Sequence, residues 1–336
     1  MLFRSERDLI WEADVPCGKE VPLHIINATV NLVGTHDTAW TQRKAEGFTF
    51  SPLFSGGWRL GYVRTACYGG NRGVSLATAM AISGAAFNPN MGYHSSPLVT
   101  LIMTLFNVRL GWWLPNPKYR RGRFKREAAK LLHVTMQDLM SKKSPRLALG
   151  PLINEMLGGT NDTTPYIELT DGGHFENLGL YEMVLRRCRR IIVIDAGADP
   201  KCQFEDLGNA LRKIEIDLGI PIEFRNNKIH MQKGTVETNL RCAIADIRYD
   251  RVDGASAPQP GTLIYIKTVL NGQEPADILQ YAKTHPTFPH EATTNQFFTE
   301  SQFGSYRHLG LFTINQIVAK ETLASKPDPQ HPVPPG

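Results

Sequence analysis

This chain predicts an α/β fold with a mostly parallel central sheet. Three observations point there. Residues 166–224 read as strand, helix, strand, helix, strand, the signature of consecutive βαβ units. One of those strands, "RIIVIDAG" (190–197), is a near-continuous apolar run, as a buried parallel strand should be. The composition is globular, with 42% hydrophobic and 21% charged residues over a length of 336. That length suits one large domain or two ordinary ones.

The elements follow in order. "PLHIINATVNLV" (22–33) alternates with β-rich residues and reads as a strand. "FTFSPLF" (48–54) reads as a second, short strand. Residues 56–73 hold six glycines and read as a loop. "VSLATAMAISGAAF" (74–87) reads as a helix of small residues, stopped by Asn88, Pro89, Asn90 and Gly92. "LVTLIMTLFNVRLGWWL" (98–114) reads as a buried helix, or as one lying at a bilayer interface with Trp112 and Trp113 at headgroup level. "KYRRGRFKREAAK" (118–130) reads as a solvated basic helix and loop, with anionic headgroups as the alternative contact.

The most orderly part comes next. "YIELTD" (166–171) is a strand, and "NLGLYEMVLRR" (177–187) a helix with Leu178, Tyr181, Val184 and Leu185 on one face. After 190–197 come a helix over 204–219 and a strand at 220–224. Strands follow at 238–249 and 261–270, then helices at 275–283 and 293–302. The ending "SKPDPQHPVPPG" is proline-rich and reads as disordered. No linker divides residues 1–320, which read as a single domain, with 321–336 as the tail.

The totals exclude several classes. A net charge of +5 argues for neither nucleic acid nor membrane, and no nucleic-acid recognition module accompanies the basic run. Five cysteines, at 17, 67, 188, 202 and 242, form no CxxC pair, so a zinc ribbon is not expected. Their spacing, with no secretory leader, fits reduced thiols in a cytoplasmic setting. No run of 18 apolar residues marks a membrane span.

The chemistry concentrates at "TDGGHFENL" (170–178). Sites in open α/β sheets form beyond the carboxyl ends of parallel strands, and Asp171 ends "YIEL". Gly172 and Gly173 clear side chains from beside that carboxylate. Asn177 is placed as the N-cap of the next helix, and Glu176 lies where the helix dipole favours negative charge. Three readings stay open on the residues themselves. The junction is a capped turn, or a metal site of Asp171, His174 and Glu176, or a catalytic carboxylate serving a nucleophile held elsewhere.

"YIELTDGGHFENLGLYEMVLRRCRRIIVIDA" resembles the Asp-Gly-Gly/Ala block of the patatin-like and cytosolic phospholipases. Asp171-Gly172-Gly173, Asn177 and "IIVIDA" match in order. "LATAMAISGAAFNPNMG" (76–92) is similar to the family's alanine-rich helix, and "HIINATVNL" to the strand before it. The resemblance covers roughly residues 22–224 and looks closest to the bacterial membrane-associated branch. It implies a three-layer αβα fold and a serine–aspartate dyad that hydrolyses lipid esters through an acyl-enzyme, with no cofactor. Asp171 carries over as the base, and Gly172 and Gly173 as its motif partners.

The chain departs from that pattern at the nucleophile. No G-x-S-x-G occurs. Ser75, in "GVSLA", and Ser83, in "AISGA", are near-misses, and an elbow needs a strand before the serine and a helix after it. His94, Ser95 and Ser96 read as a helix-starting loop. The resemblance therefore implies a domain incomplete at its N-terminal side and inactive alone. The alternatives are a silent membrane-associated scaffold and a complete hydrolase using Ser75. The expected partners are a membrane glycerolipid substrate, a membrane surface and a separately encoded front half, with no nucleic acid. The expected location is the cytoplasm, at the inner face of the membrane.

Overall fold

The computed structural model describes residues 22–32, 43–70, 72–85, 111–120, 164–225, 242–254, 260–291 and 297–324. They fall into two compact units, divided between Asn177 and Leu178.

The first unit is built on a six-stranded sheet. Its strands are β1 (Ile26–Asn31), β2 (Ala45–Phe50), β3 (Phe54–Gly57), β4 (Gly61–Arg64), β5 (Trp112–Pro115) and β6 (Tyr166–Asp171). They run in the order β4-β3-β2-β1-β6-β5. Every pair is antiparallel. Period-two alternation decides the two faces. Ala28, Val30, Phe48, Phe50, Ile167 and Leu169 point into a core shared with Ala79 and Ile82 of α1 (Leu76–Ser83). The other face is polar yet buried, with Thr29, Asn31, Thr49, Glu168 and Thr170 all nearly inaccessible. Tyr68 donates from its hydroxyl to Pro115 O at 2.7 Å, and burial pushes its phenol well up.

The second unit holds a four-stranded sheet of β7 (Arg190–Asp195), β8 (Ile222–Phe224), β9 (Cys242–Ile247) and β10 (Gly261–Lys267), in the order β7-β10-β9-β8. Only β7 and β10 pair in parallel; β9 is antiparallel to both its neighbours. Two helices, α2 (Leu180–Leu185) and α3 (Glu205–Leu218), cover one face. Leu207, Ala210 and Ile214 recur at helical spacing on α3 and bury against Ile191, Val193 and Leu263. Gly219 ends α3 at φ +67°, the left-handed conformation that stops helices. A short α4 (Asp250–Asp253) follows β9. Helices α5 (Ala276–Thr284) and α6 (Glu300–Ala324) close the described chain around Ile278, Tyr281, Phe288 and Leu309.

The expected parallel central sheet, and with it the patatin-like three-layer αβα arrangement, is not formed. Both edges of β6 are already taken, by β1 and β5, so β7 cannot join it. It opens the second sheet instead, and "strand, helix, strand" across 166–195 is not a βαβ unit. Alternating apolar residues show that a strand is present but not which strand it pairs with. The expected double burial of "RIIVIDAG" fails too. Ile191, Val193 and Asp195 are buried, but Ile192 is 59% and Ile194 69% exposed.

Three local readings also change. The glycine loop at 56–73 contains β4 and a 3₁₀ turn at Thr65–Cys67. The C-terminal end of the expected helix 98–114 is β5, paired with Tyr166–Leu169; residues 98–110 lie outside the described ones. The expected helix at 293–302 starts at Glu300 and runs to Ala324, into the stretch read as tail. His94, Ser95, Ser96 and most of the basic run at 118–130 lie outside the described residues.

Cys67, Cys188, Cys202 and Cys242 are all free thiols. Among the described residues no helix is long and apolar enough to cross a membrane.

Candidate functional site

Asp171 closes β6 opposite Ala28 of β1. The chain then makes one 3₁₀ turn, Gly172–His174. Asp171 caps that turn, its Oδ1 accepting from Gly173 N at 2.7 Å. This holds one carboxylate oxygen and so orients the other. Gly172 is required by space. A Cβ there would lie 2.8 Å from Asn27 O, on the backbone of β1. At Gly173 the nearest atoms are side-chain ones, Asn177 Oδ1 at 2.8 Å and Asp171 Oδ1 at 3.1 Å. Thr29 clamps the turn from below. Its hydroxyl donates to Gly172 O at 3.2 Å and accepts from Phe175 N at 3.1 Å.

His174 turns away from the carboxylate. Its Nδ1 lies 3.0 Å from Thr170 Oγ1, on the buried polar face. Thr170 Oγ1 donates onward to Asn31 Oδ1 at 3.4 Å. Thr170 thus links the His174 ring to Asn31 in one chain of hydrogen bonds. Among the described residues no three His, Cys, Asp or Glu side chains are grouped to hold a metal ion, so Asp171, His174 and Glu176 do not form one. Glu176 is buried. Asn177 is not the N-cap of α2; that position is Gly179, at φ +68° and without a side-chain bond. Asn177 lies over Gly173 instead.

The two serines that approach an elbow sit at opposite ends of α1. Ser75 is its N-cap, accepting from Thr78 N at 3.1 Å and sharing a hydrogen bond with Thr78 Oγ1 at 2.9 Å. A turn through Gly73, not a strand, precedes it. Asp171 meets the other end of α1, where its N–H reaches Ala85 O at 3.4 Å. About 12 Å of helix, at the usual rise per residue, lies between Ser75 and that end. Ser83 falls in the last turn, inside the helix, where no strand leads into it. The structure therefore does not bring Ser75 and Asp171 together.

No family model matches the chain, and neither does any curated protein. Among solved structures the chain is similar to human GIVD cytosolic phospholipase A2, at 12% identity and a TM-score of 0.48. That similarity covers 90% of this chain and 44% of the other, so the chain spans less than half of that protein's length. A likeness this distant bears on neither activity nor substrate.

Proposed function

We propose that the chain carries the general-base arm of a serine acyl hydrolase acting on a membrane glycerolipid. One observation supports this above the others. Asp171 stands at a strand end, its carboxylate aimed by the Gly173 N–H, on a turn whose backbone lies against β1 so closely that only glycine fits at 172. That is what a base needs: a fixed carboxylate with cleared surroundings. Gly173 keeps that flank open, since a Cβ there would lie 3.1 Å from Asp171 Oδ1.

In the reaction Asp171 takes the proton of a serine hydroxyl as the serine oxygen attacks the ester carbonyl. The tetrahedral adduct collapses to an acyl-serine. The departing alcohol takes the proton from Asp171. Water then attacks the acyl-serine, Asp171 again accepting a proton, and returns it to serine as the fatty acid leaves. No step calls for a cofactor. Contact with the membrane surface belongs to the same reading, because the substrate resides there.

Ser75 is not the serine on this reading: its hydroxyl caps α1 at the wrong end. The chain alone is then silent, and its partner serine is supplied from a G-x-S-x-G segment. The test is incubation of the purified chain with a fluorophosphonate probe and a short-chain p-nitrophenyl ester. The reading predicts no labelling and no turnover. Labelling lost in Ser75→Ala would instead establish a complete hydrolase. Liposome binding that survives Asp171→Ala, with no activity under any pairing, would favour a silent scaffold.

A further inference from the structure

The first unit carries an aromatic and cationic surface that the chemistry of Asp171 does not use. Among the described residues β4 ends the six-stranded sheet, and β3 and β4 form a hairpin there, joined by a turn at residues 58–60. The register sets Phe54 opposite Arg64, Ser55 opposite Val63 and Gly56 opposite Tyr62. Alternation sends Ser55 and Val63 inward, and both are buried. It turns Phe54, Tyr62 and Arg64 outward.

Four large apolar side chains on this one hairpin are exposed: Leu53 at 60%, Phe54 at 49%, Trp58 at 66% and Tyr62 at 39%. Single exposed apolar residues are ordinary on a protein surface, but a group of them marks a site of interaction. The charge beside them is nearly all of one sign. Residues 51–75 carry Arg59, Arg64 and Arg72, with no acid, and all three arginines are exposed. The 3₁₀ turn Pro117–Arg120 packs beside β4 and adds the exposed Lys118, where the basic run of the sequence begins. Glu46 of β2 meets the hairpin too, accepting from Arg59 N at 3.2 Å, but it is buried. Set against these four cations, it leaves a positive excess.

The hairpin is also well placed. Asp171 lies opposite Ala28, and Phe50 opposite Ile26, so β6 runs towards the end of the sheet at which β2 turns into β3. Phe54 begins β3 at that end, three strand spacings from β6, or about 14 Å.

We propose that this hairpin is the surface on which the protein docks to a bilayer of anionic phospholipid. Tryptophan and tyrosine rings settle at headgroup level, because one end is apolar and the other polar. Leu53 and Phe54 enter the acyl boundary, and Arg64, Arg72 and Lys118 meet the headgroup phosphates. The choice of a bilayer rests on the glycerolipid reading of Asp171, which puts the substrate there.

The experiment is flotation of the full chain with vesicles of phosphatidylcholine alone and of equimolar phosphatidylcholine and phosphatidylglycerol. Binding is expected to the second and not to the first. Arg64→Gln and Arg72→Gln should each lower it about fivefold, the share of one basic residue at an anionic surface. Trp58→Ser should lower it about tenfold, as for one large apolar side chain kept in water. Each variant should keep its unfolding midpoint. Brominated acyl chains should quench the wild-type tryptophan fluorescence, and quench it less in Trp58→Phe. Asp171→Asn should bind as the wild type does, so docking and the role of Asp171 fail separately. No binding to the anionic vesicles, equal binding to both kinds, or binding unchanged in the Trp58 and arginine variants overturns the proposal. So does self-association lost in Trp58→Ser without vesicle binding, which would assign the hairpin to contact between copies of the chain.

Discussion

Two aspartates in this chain end strands in the same way and differ in everything else. Asp171 accepts from the N–H of Gly173 at 2.7 Å, and Asp195 from that of Gly197 at 2.9 Å. Each is an aspartate bonded to the second residue after it. Asp171 is half-buried in an antiparallel sheet. Asp195 is sealed in, with Lys267 and Tyr265 on its other oxygen. That hydrogen bond is therefore no mark of function by itself; at Asp171 the turn is set apart by the contact with β1 that admits only glycine at 172. What distinguishes the two is strand pairing: a parallel neighbour brings a second strand end, and its side chains, level with Asp195.

The largest test of that difference is Lys267→Met. It leaves a buried carboxylate without its counter-charge, and should cost about 3–5 kcal/mol in urea unfolding. Lys267→Met combined with Asp195→Leu should recover most of that loss. If the double variant is no more stable than the single, the pair is not what holds this strand end. Tyr265→Phe comes next, removing a hydrogen bond to a charged group worth about 1.5–3 kcal/mol. It should shift the unfolding midpoint, whereas among the described residues no tyrosine hydroxyl is bonded to Asp171.

Gly172→Ala probes the other aspartate. The added methyl meets the β1 backbone, and such overpacking costs about 1–3 kcal/mol. Gly173→Ala meets only side-chain atoms and should cost less; equal losses would show that β1 yields at Gly172. Ser75→Ala should cost about 1 kcal/mol as a lost helix cap and change no acyl-transfer property of any assembled enzyme.

The smallest effect is a pH dependence at the Asp195 end. His290 Nδ1 accepts from Asp199 N at 3.2 Å, which requires an unprotonated ring nitrogen. Burial, then Lys267, holds its pKa down, against the pull of a hydrogen bond to the Gly197 backbone and of the charges of Asp199 and Asp195. A lowered folded pKa means stability that is present above the ordinary histidine value of about 6.5 and lost as pH falls through the folded value. His290→Asn should flatten the fall in thermal midpoint between neutral and acidic pH. An unchanged slope would assign that fall to other groups.

How much of this was legible in the sequence divides along local and non-local lines. Strand β6 occupies 166–171, where the sequence placed it, and α1 and α3 differ from expectation only at their ends, because periodicity and caps are local signals. Sheet topology was not legible. Whether "YIELTD" pairs with β7 or with β1 depends on edges contributed by residues far away. The Asp171 turn was visible because its parts are consecutive. The Asp195 cluster was not, since Tyr265 lies 70 residues from its partner. The one available signal was a lysine closing the apolar run "LIYIK", since a lysine carried into a buried strand calls for a buried acid.

The central claim is that Asp171 serves a serine other than Ser75. It is tested most directly by co-expressing the chain with a separate strand–G-x-S-x-G–helix segment and measuring fluorophosphonate labelling and ester turnover. The account predicts activity only in the pair, unaffected by Ser75→Ala and reduced about 10²–10⁴-fold by Asp171→Asn. Turnover by the chain alone that Ser75→Ala abolishes, or paired turnover that survives Asp171→Asn, would contradict it.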